Sequence, residues 1–303
     1  MLRLTTFRWE EMDRSAWDAF VTASPQGSAY MESWFLDAVL TDALVHVVED
    51  ARGWMAALLL PLGRRLKVLK GAFAPPFWRY GGVLWRSTDL SIRRRLTAAA
   101  LLAEAAADIR RHFWTAHPAA DCWLPFLQKD FSVSVRYSFQ LPIRPWGEML
   151  PTFQPRLRTT LRKPLPDGHR ITSMPLDEAA RLLRRVGPHS VGIHGRAFDM
   201  LWQIAEQGMK FRRADIWGYQ TPSGWKGFIL TIHDGHIVYQ LMPVIDRSAR
   251  LPVHEWLLRA VLQDGRRKGR RTFDFVGSHI PGVVSFIAKF APIPVTYWLI
   301  SKS

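Results

Sequence analysis

The sequence predicts an α+β chain of two similar domains, each a mixed, mainly antiparallel sheet flanked by helices in an α/β/α arrangement. Three observations predict it. The C-terminal half reads strand–strand–strand–helix–strand–helix–strand, and the N-terminal half repeats a fainter version of that order. Between them lies the basic segment 153–171, bounded by Pro155, Pro164 and Pro166. The expected boundaries are 1–145 and 146–303, with a basic linking helix over 153–166 and a last strand able to pack back on the first domain.

Each element has its own signal. In the N-terminal half, "AWDAFVTAS" and "SWFLDAVL" read as helices, and a hairpin runs from "LVHVVED" to "WMAALLLPL" around residues 50–53. After "RLKVLK" and "GGVLW" comes a long helix over 91–113 with Ser91 as its N-cap. "DCWLPF" and "VRYSFQLPI" then read as strands. The C-terminal half opens with helices in "MPLDEAARLLRRV" and "GRAFDMLWQIAEQG". "ADIWGYQ" alternates as a strand and "TPSGW" turns. "KGFILTIH" and "HIVYQLMPV" flank Asp234-Gly235, a strong hairpin signal. Pro252 starts a helix whose Val253, Trp256, Leu257, Ala260 and Val261 share one face. "RTFDFVG" returns as a strand, "GVVSFIAKF" as a short helix and "VTYWLI" as the last strand. No residue-level repeat is visible, so the duplication rests on element order.

Bulk properties narrow the function classes. Apolar residues make up 48% and charged residues 22% of the 303, a globular composition. Cys122 is the lone cysteine, which leaves no intramolecular disulfide and no cysteine metal cluster, and fits a reducing compartment. The N-terminus lacks a signal-peptide pattern, and the longest apolar run, "WMAALLLPL", is too short to span a bilayer. A cytoplasmic protein is expected. The net charge of +15 favours polyanionic partners: nucleic acid, anionic lipid headgroups or phosphorylated substrates. The densest cationic run is "GRRKGRR", 265–271. Metal-ligand spacings are absent, so no metal site is expected.

Four stretches carry a family likeness. "GSAYMESWFLDAV", "PPFWRYGGVLW", the basic "RLRTTLRK" and "FDFVGSHIPGVVSFIAKFAP" occur in the order seen in FemABX-like proteins, double-domain members of the GCN5-related N-acyltransferase (GNAT) superfamily. The resemblance covers nearly the whole chain and implies tandem GNAT-like domains. It implies an N-acyltransferase that moves an acyl or aminoacyl group to an amine of a cell-envelope or polysaccharide precursor. The donor would be acyl-CoA or aminoacyl-tRNA, used as a co-substrate with no tightly bound cofactor. Two departures stand out. Where peptidoglycan-type members often read Phe-Lys-x-x-Phe-Gly, this chain has Ile287 and Ala291, with Lys289 two residues on. The pyrophosphate turn of acetyltransferases is glycine-rich, whereas 246–256 here contains no glycine.

Amine acylation needs a neutral amine, a polarised carbonyl and a protonated leaving group. Ser278, His279 and Gln240 are the catalytic candidates, because they leave the central strands where such sheets open. Tyr80, Tyr239, Asp274 and Lys289 are the substrate-binding candidates. Asp274, between Phe273 and Phe275, faces away from both and, if buried, needs hydrogen-bond partners. Arg156, Arg158, Arg162 and Lys163 on the linking helix, with Arg247 and Arg250 before the long C-terminal helix, are the phosphate-binding candidates. The partners expected are a phosphate-bearing donor, an amine acceptor and peripheral contact with an anionic membrane. Two other readings stand beside the enzyme: a non-catalytic GNAT-like scaffold, and a basic nucleic-acid-binding protein motivated by charge alone.

Overall fold

Val45, Val47 and Val48, then the continuous apolar run 55–60, are buried in the long central hairpin over 43–65 of the first half. Its turn is closed by Gly53 at φ +93° and by Asp50, whose Oδ1 accepts the Arg52 N–H at 2.8 Å. The computed structural model describes residues 1–303 except 66–68, 88, 189–191, 194, 247, 249 and 277–280. Two compact units divide it: residues 1–136 together with 296–303, and residues 137–295.

In the first unit, β1 (Arg3–Arg8), β2 (Ala43–Asp50) and β3 (Gly53–Arg65) pair antiparallel in sequence. β4 (Leu69–Phe73) and β5 (Val83–Trp85) both pair antiparallel with β3, at Leu62–Arg65 and Ala56–Leu58 respectively. They act as one strand interrupted by the excursion 74–82. β6 (His112–Ala116) runs parallel to β4, and a further parallel bridge joins Gly81 to Ala116. The excursion is packed with rings. Trp78 and Tyr80 are each 2% exposed, Trp78 Nε1 donates to the Tyr30 carbonyl, and Tyr80 meets Tyr30, His117 and Tyr297 edge-on. Gly81 has no alternative there, since a Cβ would stand 2.2 Å from the Trp78 ring.

Helices α1 (Arg14–Ala23), α2 (Ser33–Val39) and α3 (Ile92–Ala107) flank this sheet. Ser91 is the N-cap of α3, accepting from the Arg94 N–H. The helix stops at Ala107 rather than 113, because His112–Ala116 is needed as β6. "DCWLPF" is not a strand: Cys122 takes φ +64° and Leu124–Leu127 form the short helix α4, with Pro125 in its first turn. β1 and β6 carried no clear sequence signal.

The second unit starts within β7 (Ser132–Pro142). Short helix α5 (Trp146–Met149) and α6 (Pro155–Arg162) follow, then β8 (Arg170–Ser173), α7 (Leu176–Val186) and α8 (Arg196–Lys210). β9 (Ala214–Thr221), β10 (Gly224–His233) and β11 (Ile237–Ile245) form an antiparallel meander, with β8 antiparallel on β9. α9 (Val253–Arg267) crosses over to β12 (Thr272–Asp274), which lies parallel to β11 and antiparallel to β7. α10 (Pro281–Ala288) and β13 (Ile293–Lys302) complete the chain, β13 pairing antiparallel with β6 of the first unit from Trp298 onward. Val253, Trp256, Leu257 and Val261 of α9 are buried against Tyr219, Ile229, Phe273, Phe275, Ile287 and Phe290. Among the described residues no helix is long and apolar enough to cross a membrane.

Candidate functional site

The parallel pair of the second unit is where the sheet opens. β11 and β12 match only at Ile237–Thr272, Val238–Phe273 and Tyr239–Asp274. Beyond Tyr239, β11 continues for six residues, 240–245, bonded to β10 alone among the described residues. A bulge marks the departure point: Leu230 pairs with Met242 and Thr231 with Gln240, so Leu241 is the extra residue. Such an irregularity bends a strand and re-aims its side chains. Gln240 sits at this bend, half-buried, with its Oε1 shielded from solvent and without a hydrogen-bond donor among the described residues. A shielded amide oxygen of this kind is costly unless a partner arrives.

β12 ends for a different reason. Asp274 is fully buried and accepts from Ser138 Oγ at 2.5 Å, Gln140 Nε2 at 2.9 Å and the Val276 N–H at 2.6 Å. The last bond closes a turn that holds Val276 at φ +57°, a conformation a β-branched residue avoids unless its surroundings impose it. Asp274 therefore fixes the turn that ends β12. Ser278 and His279 lie outside the described residues. Tyr239 is 1% exposed and donates its hydroxyl to Asp234 Oδ2 at 2.7 Å, which commits it to the hairpin. Tyr80 lies in the ring cluster of the first unit.

Helix α9 is the next described element after β11. Pro252 is its N-cap, and Arg250 before it is exposed at φ +49°. Arg247 lies outside the described residues. In the first turn, Glu255 is paired with Lys289 Nζ at 3.3 Å, and the same ammonium lies 5.0 Å from the Phe286 ring centroid. His254 stacks on Phe286 with ring centroids 4.2 Å apart, and its Nε2 is shielded and unbonded. Burial, helped by the Lys289 charge, pushes its pKa down to about 3, so the imidazole is neutral at physiological pH. Ile287, in the place of a lysine in the resembling pattern, is 2% exposed within the apolar core.

The linking helix α6 is anchored by Leu157 and Leu161, both buried, and by Arg259 of α9, whose guanidinium donates to the Leu161 carbonyl at 2.7 Å. Arg158 and Arg162 flank this apolar seam on one side and Arg156 on the other, with Lys163 as the C-cap. Among the described residues none of these four forms an ion pair. Cys122, in the first unit, is held in its thiol form: burial and the neighbouring Asp121 push its pKa up to about 11.

The geometry has counterparts among solved structures. A crystal structure of FemX superposes with a TM-score of 0.71 at 13% identity, covering 97% of this chain and 96% of that one. The fold is the FemABX-like double-GNAT fold. A tandem GNAT protein from the clavulanic acid biosynthesis pathway gives a TM-score of 0.60 at 13% identity, over 99% and 98% of the two chains. The L-PGS of Bacillus licheniformis gives 0.53 at 14% identity, over 96% and 92%. No family model and no curated protein sequence matches the chain. Each unit holds one parallel strand pair, β4 with β6 in the first and β11 with β12 in the second.

Sequence reasoning missed Ser138, Gln140, His254, Glu255 and Arg259. The first two become partners of Asp274 only through β7–β12 pairing across more than a hundred residues. A histidine beside a glutamate at the start of a proline-initiated helix was a visible signal for the α9 pair.

Proposed function

We propose that the protein is an N-acyltransferase whose chemistry lies at the β11–β12 opening of the second unit. It moves an acyl or aminoacyl group from acyl-CoA or aminoacyl-tRNA to an amine of a cell-envelope or polysaccharide precursor, in the cytoplasm. The observation that carries this reading is the edge of β11 from Gln240 to Ile245, which among the described residues has no strand partner there, beside a Gln240 Oε1 that has no hydrogen-bond partner among them. An edge of unpaired backbone groups binds an extended, amide-bearing donor arm by strand addition. Gln240 Oε1 accepts an N–H from the acceptor amine and orients its lone pair. The amine nitrogen then bonds to the acyl carbon, the C–S or ester C–O bond breaks, the amine releases a proton, and the leaving thiolate or alkoxide takes one up. Ser278 and His279, which follow β12, are the proposed carriers of those protons. Arg156, Arg158, Arg162 and Lys163, with Arg247 and Arg250, hold the donor's phosphates. Asp274 shapes the floor, and Lys289 and Tyr239 bound it.

The test is to incubate the full chain with labelled acetyl-CoA and, separately, with charged tRNA, over a panel of amine acceptors. Saturable donor binding is expected, with transfer reduced about a hundredfold in Gln240→Ala while the fold is retained. Failure of both donors to bind at low salt refutes the proposal.

Two observations favour a second reading, a non-catalytic scaffold on the same fold. Ile287 is part of the core where the resembling pattern places a charge, and Pro252 at the N-cap of α9 lacks an N–H. Donor binding without transfer to any amine selects it.

A further inference from the structure

The cationic run 265–271 lies at the far end of α9 from the acyl-transfer opening. With 15 residues, that helix is about 22 Å long. Three other pieces of chain meet the run there. The Arg213 carbonyl, just past α8, accepts the His233 N–H at 2.9 Å. Lys268 Nζ reaches Asp215, the second residue of β9, at 3.0 Å. Arg270 bonds the His233 ring Nδ1 at 2.9 Å. The end of α8, the start of β9, the β10–β11 turn and the end of α9 therefore form one face of the second unit.

Its chemistry is uneven. Five cations of 265–271 join Lys210, Arg212 and Arg213, against four carboxylates, Asp215, Asp234, Asp264 and the exposed Glu206 one turn before Lys210. Asp215 and Asp264 are spent on Lys268, His233 and Arg267. Lys210, Arg212, Arg266 and Arg271 are exposed and form no ion pair among the described residues. Two large apolar side chains stand out among them: Phe211 is 54% exposed and Met209 40%. The Lys210 ammonium lies 5.9 Å from the Phe211 ring centroid, and an exposed apolar pair rimmed by charged groups marks a protein or membrane interaction site.

We propose that this face docks on an anionic lipid surface, the cations meeting headgroup phosphates while Phe211 and Met209 enter the acyl boundary. The apolar pair decides for lipid over RNA, since Met209 offers no flat ring for base stacking whereas both side chains gain by leaving water. The inference stands on this face alone and is independent of the acyl-transfer reading.

The experiment is flotation of the full chain with vesicles of phosphatidylcholine, with and without phosphatidylglycerol. Binding is expected only where the anionic lipid is present. The combined variant Arg212→Ser, Arg266→Ser, Arg271→Ser is expected to bind about a hundredfold more weakly, about fivefold per charge. Phe211→Ser is expected to lose about tenfold, and to do so at low and moderate salt alike. All four positions are exposed, and circular dichroism checks that each variant is folded. Gln240→Ala is expected to float like the parent. Equal flotation of the triple variant, or of Phe211→Ser, overturns the proposal. So does tighter binding to RNA than to the anionic vesicles that is indifferent to Phe211.

Discussion

Replacing Asp274 tests how the opening is built. Asp274→Ala takes the acceptor of the Ser138 Oγ–H, which is buried, and of the Gln140 Nε2–H and the Val276 N–H, which are half-buried. An orphaned buried donor costs about 1–3 kcal/mol. The Ser138 hydroxyl and the Gln140 amide can rotate toward other acceptors, but the Val276 backbone, already at φ +57°, cannot. The expected loss is about 3–5 kcal/mol, a large share of the stability of an ordinary domain. Asp274→Asn behaves differently. Its Oδ1 still accepts from Ser138 and Val276, and the Gln140 amide can flip to present Oε1 to the new N–H. About 1 kcal/mol is expected for that change. The assay is urea unfolding followed by tryptophan fluorescence, with Trp217, Trp225 and Trp256 as reporters inside the second unit. Hydrogen exchange resolves which unit opens. If Asp274→Ala unfolds within about 1 kcal/mol of the parent, the carboxylate does not hold the turn and the reasoning fails. If the variant stays stable but loses acyl transfer, Asp274 belongs to the chemistry instead.

Two further substitutions probe the same unit. Ile287→Lys restores the charge of the resembling pattern but places it inside an apolar core; a loss of at least about 3 kcal/mol in the urea midpoint is expected, with no gain in transfer. His254 titrates at about 3 when folded, against about 6.5 unfolded, so between those values the unfolded chain binds a proton that the folded chain refuses. Stability therefore falls as pH drops from 6.5 toward 3, by about 1 kcal/mol one pH unit below 6.5. His254→Phe keeps the stack on Phe286 and is expected to flatten that acid limb, read as urea midpoint against pH; an unchanged slope counts against the buried neutral imidazole.

Local signals in the sequence specified most of the second unit. The turn at Asp234-Gly235 is held by that aspartate, whose Oδ1 accepts the N–H of His236 and of Ile237, so the residue that marked the hairpin also makes it. The apolar face of α9 was readable because 3.6-residue periodicity and burial coincide there. Elements fixed by distant pairing were not readable. β1 becomes a strand by aligning on β2, and β6 by lying between β4 and β13, whereas both segments taken alone lack a clean alternation. The site followed the same division. Gln240 was chosen for its strand position, and the bulge at Leu241 that isolates its Oε1 comes from register with β10, which a single sequence does not display. Asp274 was expected to be bonded if buried, yet its partners on β7 emerge only from tertiary pairing.

The two units share a plan but finish their diverging strands in opposite ways. In the first, the parallel pair is rejoined by the Gly81–Ala116 bridge, and the excursion that precedes it fills the gap with Trp78 and Tyr80. Backbone groups that a donor arm would need are already used: the Gly81 N–H bonds the Thr115 carbonyl at 3.1 Å, and the His117 N–H bonds the Gly81 carbonyl at 3.0 Å. In the second, β11 bends at the Leu241 bulge just past Tyr239 and runs on to Ile245, its edge left without a strand partner among the described residues. Water satisfies an exposed edge at little cost, but a half-buried one with an orphaned Gln240 oxygen is stabilised by whatever fills it. Among the described residues the first unit is therefore closed at this point by its own aromatic side chains, whereas the second leaves the edge of β11 beyond Tyr239 without a strand partner, and that contrast is the physical ground for proposing donor uptake in the second unit and not in the first.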